Sequence, residues 1–183
     1  AESLPGYTEI PIGVDMDDEL MEAYMHLETA IHDSFSSHDR TSRGSIKTLS
    51  QMIQSLSIYP DQPYDQPPIV DPDTGNIVVA PEELSHDYRN KEMTLLNIVQ
   101  EKVDNGEKVL VYYSWPNRTE LGEKLPRLFA ENDIKAVTLK ASVKSSEREA
   151  WIKKQVEEEN IDVLVVNPSL VDTGLDLLDF TTI

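Results

Sequence analysis

The chain has 183 residues, no cysteine and a formal net charge of -18. That length holds one full domain, or one small domain with an appendage. Without cysteine there is no disulfide framework and no thiolate metal centre, and the acidity opposes nucleic-acid binding over the whole surface, because phosphate affinity rests on Lys and Arg. The charge is uneven, however. Residues 1–90 carry 4 basic and 17 acidic side chains, and residues 91–183 carry 12 and 17, so the back half has room for a local basic edge. No apolar run approaches the ~20 residues that span a bilayer. No basic segment followed by an apolar core opens the chain, so a signal peptide is not expected.

In chain order, residues 7–16 alternate enough to predict an edge strand carrying Pro11. One of Asp15, Asp17 and Asp18 then caps a helix whose face is Leu20, Tyr24, Leu27 and Ile31. Residues 34–45 are polar and read as a loop. A second amphipathic helix follows over 45–58, with Ile46, Leu49, Ile53 and Leu56 on its inward side. Residues 60–81 are rich in Pro and Asp, with Gly75 among them, and predict a linker or an extended meander with a short strand at Ile77, Val78 and Val79.

From Lys91 onward the pattern becomes regular. A helix over 93–103 buries Leu95, Leu96, Val99 and Val103 and ends at Gly106. Residues 108–113 are apolar without alternation, as buried parallel strands are. Pro116 and Asn117 start the next helix, with Asn117 and Glu120 spaced as a capping pair. Its core face is Leu121, Leu125, Leu128 and Phe129, interrupted by Pro126. A strand over 136–139 comes next. Ser145 or Ser146 then caps a helix to about 158, with Trp151, Ile152 and Val156 apolar. Residues 161–166 form a third strand. Strands alternating with helices of this length predict an α/β fold, a doubly wound parallel sheet. The expected division is a helical connector over 1–60, a Pro/Asp-rich linker over 61–90 and an α/β lobe over 91–183.

Parallel α/β sheets bind ligands at the carboxyl ends of their strands. Three such edges are predicted, at 114–118, 140–146 and 167–174. Ser114, Arg118, Ser142, Lys144 and Ser169 suit a phosphodiester backbone there. Ser114 and Ser142 serve equally well as helix caps. Trp115, beside that edge, is a candidate to stack on bases, whereas Trp151 reads as packing. Gly174 and Asp176 form a tight loop that permits close ligand approach, or an ordinary turn with a capping Asp. Arg148 opens a helix, where the dipole disfavours a cation, so a partner among Glu147, Glu149 and Glu120 is expected. His26, His32 and His38 do not share a helix face, and no His-Glu-x-x-His spacing occurs, so no metal site is expected.

Taken together, segments 10–27, 49–60, 91–99, 108–114, 141–148 and 167–177 resemble, in order and spacing, the second RecA-like motor lobe of superfamily-two helicases and Snf-type DNA translocases. Leu49 through Pro60 resembles that family's two helical turns ending in Pro. Residues 108–114 resemble motif IV, and 167–177 resemble motif V, ending at Gly174 and Asp176. Ala141 stands where the family usually has Gly, and Pro168 where it has Thr, which removes a hydroxyl and an amide donor.

The resemblance implies a P-loop NTPase-type lobe that works with an N-terminal RecA-like lobe, with ATP and Mg²⁺ bound between the two. It assigns nucleic-acid contact to Ser114, Trp115, Arg118, Ser142, Lys144, Asn167 and Ser169, and the ATP cleft to Gly174 and Asp176. DNA or RNA is the implied partner, and the cytoplasm, near the nucleoid, or the nucleus is the implied setting. No Gly-x-x-x-x-Gly-Lys-Ser/Thr loop, acidic Mg²⁺ box or Arg-rich motif VI occurs in the chain. By itself the chain is therefore expected to be monomeric, to hold no cofactor and to be non-catalytic. Two rival readings are an acidic α/β protein-interaction module and the nucleotide-sugar lobe of a glycosyltransferase, for which no convincing motif is found.

Overall fold

A computed structural model describes residues 8–37, 43–115, 119–171, 175 and 177–183, with the side chains of 35–37 and 43–45 outside that description. The elements in order are α1 (Asp18–Ser37), α2 (Arg43–Ile58), β1 (Ile69–Val70), β2 (Ile77–Val79), α3 (Asn90–Asp104), β3 (Lys108–Tyr112), α4 (Leu121–Ala130), β4 (Ala136–Leu139), α5 (Arg148–Glu157), β5 (Val163–Val166) and β6 (Phe180–Thr182). Short 3₁₀ turns at Ser145–Glu147 and Pro168–Leu170 follow β4 and β5. No helix among the described residues is long and apolar enough to cross a membrane.

Strands β4, β5, β3 and β6 lie side by side in that order, all parallel. Successive side chains on a strand point to opposite faces. Val109, Val111, Val163 and Val165 therefore meet Leu96, Val99, Leu125, Leu128 and Phe129 of α3 and α4. Leu110, Leu164 and Val166 meet Ile152 and Val156 of α5 on the other side. With helices on both faces, no position on these strands needs to be polar, which is why β5 reads Val-Leu-Val-Val and is buried throughout. The doubly wound sheet expected from the sequence is present.

Residues before 90 build a second core. Leu20, Ala23, Leu27 and Ile31 of α1 pack with Met52, Tyr59, Ile69, Val79 and Leu84. Strands β1 and β2 pair antiparallel there, so segment 60–81 is an ordered meander. Burial, with help from Glu82, pushes the Tyr59 phenol up to about 12.

The two cores are pinned together by polar contacts. Arg89, 8% exposed, donates to Asp17 at 2.8 Å and to Glu19 at 3.1 Å. The Glu120 amide donates to Gln62 Oε1 at 2.6 Å. Lys124, 2% exposed, lies 2.6 Å from Glu92 and donates to the Asp87 carbonyl at 3.2 Å. The rings of Tyr64 and Tyr88 lie 5.2 and 5.6 Å from that ammonium.

Several local expectations change. Residues 8–17 form no strand. Asp17 caps α1, its Oδ1 accepting from the Leu20 amide at 2.9 Å. The predicted loop at 34–45 is shorter, because α1 runs to Ser37 and α2 begins at Arg43. On α2 the inward side is shifted, and of the expected face only Leu56 packs against the core. Ile46 and Ile53 are exposed, while Thr48, Met52, Ser55 and Ile58 are buried. The meander decides this, since Gln51 accepts from the Val70 amide at 3.2 Å and so turns that side of α2 toward β1. Helix α4 starts at Leu121 rather than at Pro116 and Asn117, which lie outside the described residues. Neither Ser145 nor Ser146 caps α5 through its side chain. Strand β6 was not expected at all: it is three residues long, and its Thr181 and Thr182 hydroxyls anchor to Glu107 at 3.3 and 2.8 Å.

Candidate nucleic-acid interface

The register of the sheet levels its strand ends. Tyr112 stands opposite Val166, and Val166 opposite Leu139. The loops after β3, β4 and β5 therefore leave the sheet on one edge. That edge gathers Ser114 and Trp115, Ser142 and Lys144, and Asn167 and Ser169. Arg118, Gly174 and Asp176 lie outside the described residues.

Two side chains staple these loops. Asn167 Nδ2 donates to the Tyr113 carbonyl at 3.0 Å, joining the ends of β3 and β5. Its Oδ1 accepts from the Ser169 amide at 3.2 Å and the Ser169 hydroxyl at 2.5 Å. Arg148 joins the other pair of loops, Nε donating to the Val143 carbonyl at 3.2 Å and an Nη to the Leu170 carbonyl at 3.0 Å. Its partners are thus backbone carbonyls, not the expected carboxylates. A guanidinium fork in the first turn of α5 spans two loops that no carboxylate on its own helix could connect.

These staples fix what each loop can offer. After β5, the amides of Ser169, Leu170 and Val171 bond to Asn167 Oδ1, the Asn167 carbonyl and the Pro168 carbonyl. Asn167 and Ser169 thus spend their polar atoms on each other and on Tyr113. After β4, the Val143 amide closes a turn onto the Lys140 carbonyl at 3.0 Å, leaving Ser142 and Lys144 exposed. Lys144 lies 3.6 Å from Glu147. Lys140 lies 2.6 Å from Glu123, whose hydrogen bond and charge hold its pKa up.

After β3, Ser114 is exposed and Trp115 is 36% exposed, with its backbone at φ 60°. For a bulky side chain that conformation costs on the order of 1–3 kcal/mol, and it persists only where its surroundings enforce it. Thr119 does so, its amide and hydroxyl donating to the Trp115 carbonyl at 3.0 and 3.2 Å. Burial, then the nearby Glu123, pushes the neighbouring Tyr113 phenol upward.

Below this edge on the α3–α4 face lies a mostly apolar cleft of about 340 Å³, walled by Ile12, Val14, Leu95, Tyr112, Ser114 and Leu121. Sequence reasoning missed it, because its outer wall is segment 8–17, read there as an edge strand. It also missed an exposed group of Asp65, Glu83 and His86, whose ligand atoms lie within 4.8 Å of one another. His86 stacks on Tyr64 at 3.8 Å. Asp65 lies before β1 and Glu83 and His86 lie after β2, so no spacing rule could collect them.

A scan against protein-family models and a search of curated proteins return no match. Among solved structures, the crystal structure of the C-terminal part of the Fun30 ATPase domain matches with a TM-score of 0.65 at 15% identity, over 96% of this chain and 73% of that one. The fold is therefore that of a RecA-like C-terminal lobe. In shape the chain is similar to that part of Fun30, and the low identity limits the likeness to fold.

Proposed function

We propose that this chain is part of the C-terminal motor lobe of an ATP-dependent DNA helicase or translocase, one that grips a nucleic-acid backbone and forms one wall of an ATP cleft shared with an N-terminal RecA-like lobe. The observation that carries this reading is the single strand-end edge. Ser114, Trp115, Ser142 and Lys144 stand exposed on loops held at fixed spacing by Asn167 and Arg148. The fold likeness to part of an ATPase domain supports it.

In this reading Ser114 and Ser142 donate hydroxyls to phosphate oxygens and Lys144 supplies charge. Trp115, held in its strained backbone conformation, offers an indole face for a base or sugar. Asn167 and Ser169 position the edge. The family resemblance adds Arg118 as a second cation and assigns Gly174 and Asp176 to the ATP cleft. ATP and Mg²⁺ bind between the lobes, and closing and reopening of that cleft moves the gripped strand in steps. By itself the lobe contributes grip without hydrolysis.

Fluorescence polarisation of labelled DNA and RNA with the polypeptide that joins this chain to its first lobe tests the grip. Lys144→Glu is expected to weaken binding about tenfold, and Lys144→Gln to lower the salt slope by roughly one. Trp115→Ala is expected to weaken single-strand binding by about tenfold, the scale of one lost stacking contact. Affinity and salt slope unchanged in all three variants would rule out this edge as the grip.

A further inference from the structure

The meander and α2 enclose a second cleft, of about 190 Å³, whose walls include Gln54, Ser55 and Ile58 of α2 and Gln66, Pro67 and Ile69. Two polar atoms there are buried without a hydrogen-bond partner among the described residues: the Ser55 hydroxyl, on a side chain 8% exposed, and Gln66 Nε2. Burying a donor without a partner is costly, and such groups are normally satisfied by protein, water or ligand. Gln51, also on this wall, accepts from the Val70 amide through Oε1 and bonds to neither group. Ile58 and Ile69, each 2% exposed, give the cleft an apolar floor.

This donor set selects a ligand chemistry. None of the lining residues is charged, so an ion would lose its hydration with no counter-charge to replace it. A hydrocarbon would leave both orphan groups unpaired. Gln66 Nε2 needs an acceptor, while the Ser55 hydroxyl takes either role. A primary carboxamide supplies both. Its carbonyl accepts from Gln66, its NH₂ donates to Ser55, and its aliphatic stem lies on Ile58 and Pro67. The volume equals that of roughly six waters, which is room for such a group.

We infer that this cleft binds a neutral carboxamide, supplied by a free small amide or by an Asn or Gln side chain of a partner peptide. The full chain is titrated in NMR with isobutyramide, with a blocked Gly-Gln-Gly peptide, and with isobutyrate as the charged isostere. Saturable shifts of the Ile58 and Ile69 methyls and the Gln66 side-chain amide are expected. For a ligand this small the dissociation constant falls in the millimolar range.

Isobutyrate is expected to bind at least about tenfold more weakly. Ser55→Ala weakens the amide about tenfold without lowering Tm, because it removes a hydroxyl that bonds to no other group among the described residues. Gln66→Leu, read by the same methyl shifts, abolishes the interaction. Tighter binding of the peptide assigns the source to a partner's side chain, and tighter binding of isobutyramide to a free amide. Absence of saturable shifts with both amides would mean a cleft that holds only water, and would overturn the inference. So would equal binding of isobutyrate, or wild-type affinity in both variants.

Discussion

Lys124 is a cation sealed in the joint between the two cores, and replacing it reveals how much that joint depends on charge. Its ammonium lies 2.6 Å from Glu92 Oε1. At an effective dielectric constant of about 20, two unit charges at that distance attract by roughly 6 kcal/mol, a gross figure set against desolvation of several kcal/mol per ion. Lys124→Met removes the attraction and strands a buried carboxylate, which keeps only the Arg89 amide on its other oxygen at 2.7 Å. The expected loss is about 3–5 kcal/mol. With a urea m-value near 2 kcal/mol/M, the unfolding midpoint falls by roughly 2 M. Glu92→Gln strands the lysine and is expected to cost a similar amount. Neither charge remains in the double variant, so the cycle is expected to show coupling of about 2 kcal/mol or more. Urea titrations followed by Trp fluorescence measure all three. A Lys124→Met loss below about 1 kcal/mol, or a double variant additive within ~0.5 kcal/mol, would refute the reasoning.

Asp17 links α1 to Arg89 and carries an acid dependence. Burial opposes ionisation, but the Leu20 amide and Arg89 outweigh it, so its folded pKa lies below the usual carboxylate value. Its stabilisation is therefore complete above the unfolded pKa and fades as pH falls through the lower folded value. The stability difference between wild type and Asp17→Asn is expected to be flat near neutrality and to shrink below about pH 4, measured by denaturant unfolding across pH. Arg148→Met removes the staple between the loops after β4 and β5. Amide exchange should accelerate about tenfold at 143 and 169–171 while β3 stays protected, since each lost hydrogen bond is worth ~1 kcal/mol. Gly106 ends α3 at φ 78° with open space where a Cβ would sit. Gly106→Ala therefore meets no clash, yet is expected to cost about 1–2 kcal/mol from the left-handed backbone alone, read as a lower Tm.

The sheet was legible because burial on both faces writes itself into composition. Apolar runs at 109–113 and 163–166, without alternation, read as covered parallel strands. The strand-end edge was legible for the same reason, since strand ends and register locate Ser114, Ser142 and Asn167 without any knowledge of side chains. What those side chains do was not. Asn167 and Ser169 are occupied by each other, and Arg148 by two carbonyls, which depends on loop geometry that no spacing encodes. The inward side of α2 was misread because Ile46, Leu49 and Ile53 outweigh Thr48 and Ser55 in any apolar count. A single hydrogen bond from Val70 to Gln51 marks the opposite side as the one against β1. Strand β6 escaped notice because only Phe180 of its three residues is apolar, unlike the Ile-Val-Val of β2.

The central claim is tested most directly by ATP hydrolysis. The motor proposed above, this chain joined to a first RecA-like lobe, is assayed alone and with duplex DNA, single-stranded DNA and RNA. The account predicts hydrolysis stimulated at least about tenfold by one of these, and reduced toward the basal rate by Lys144→Glu at limiting nucleic acid. A rate indifferent to all three nucleic acids, in a protein whose two lobes are folded, would contradict it.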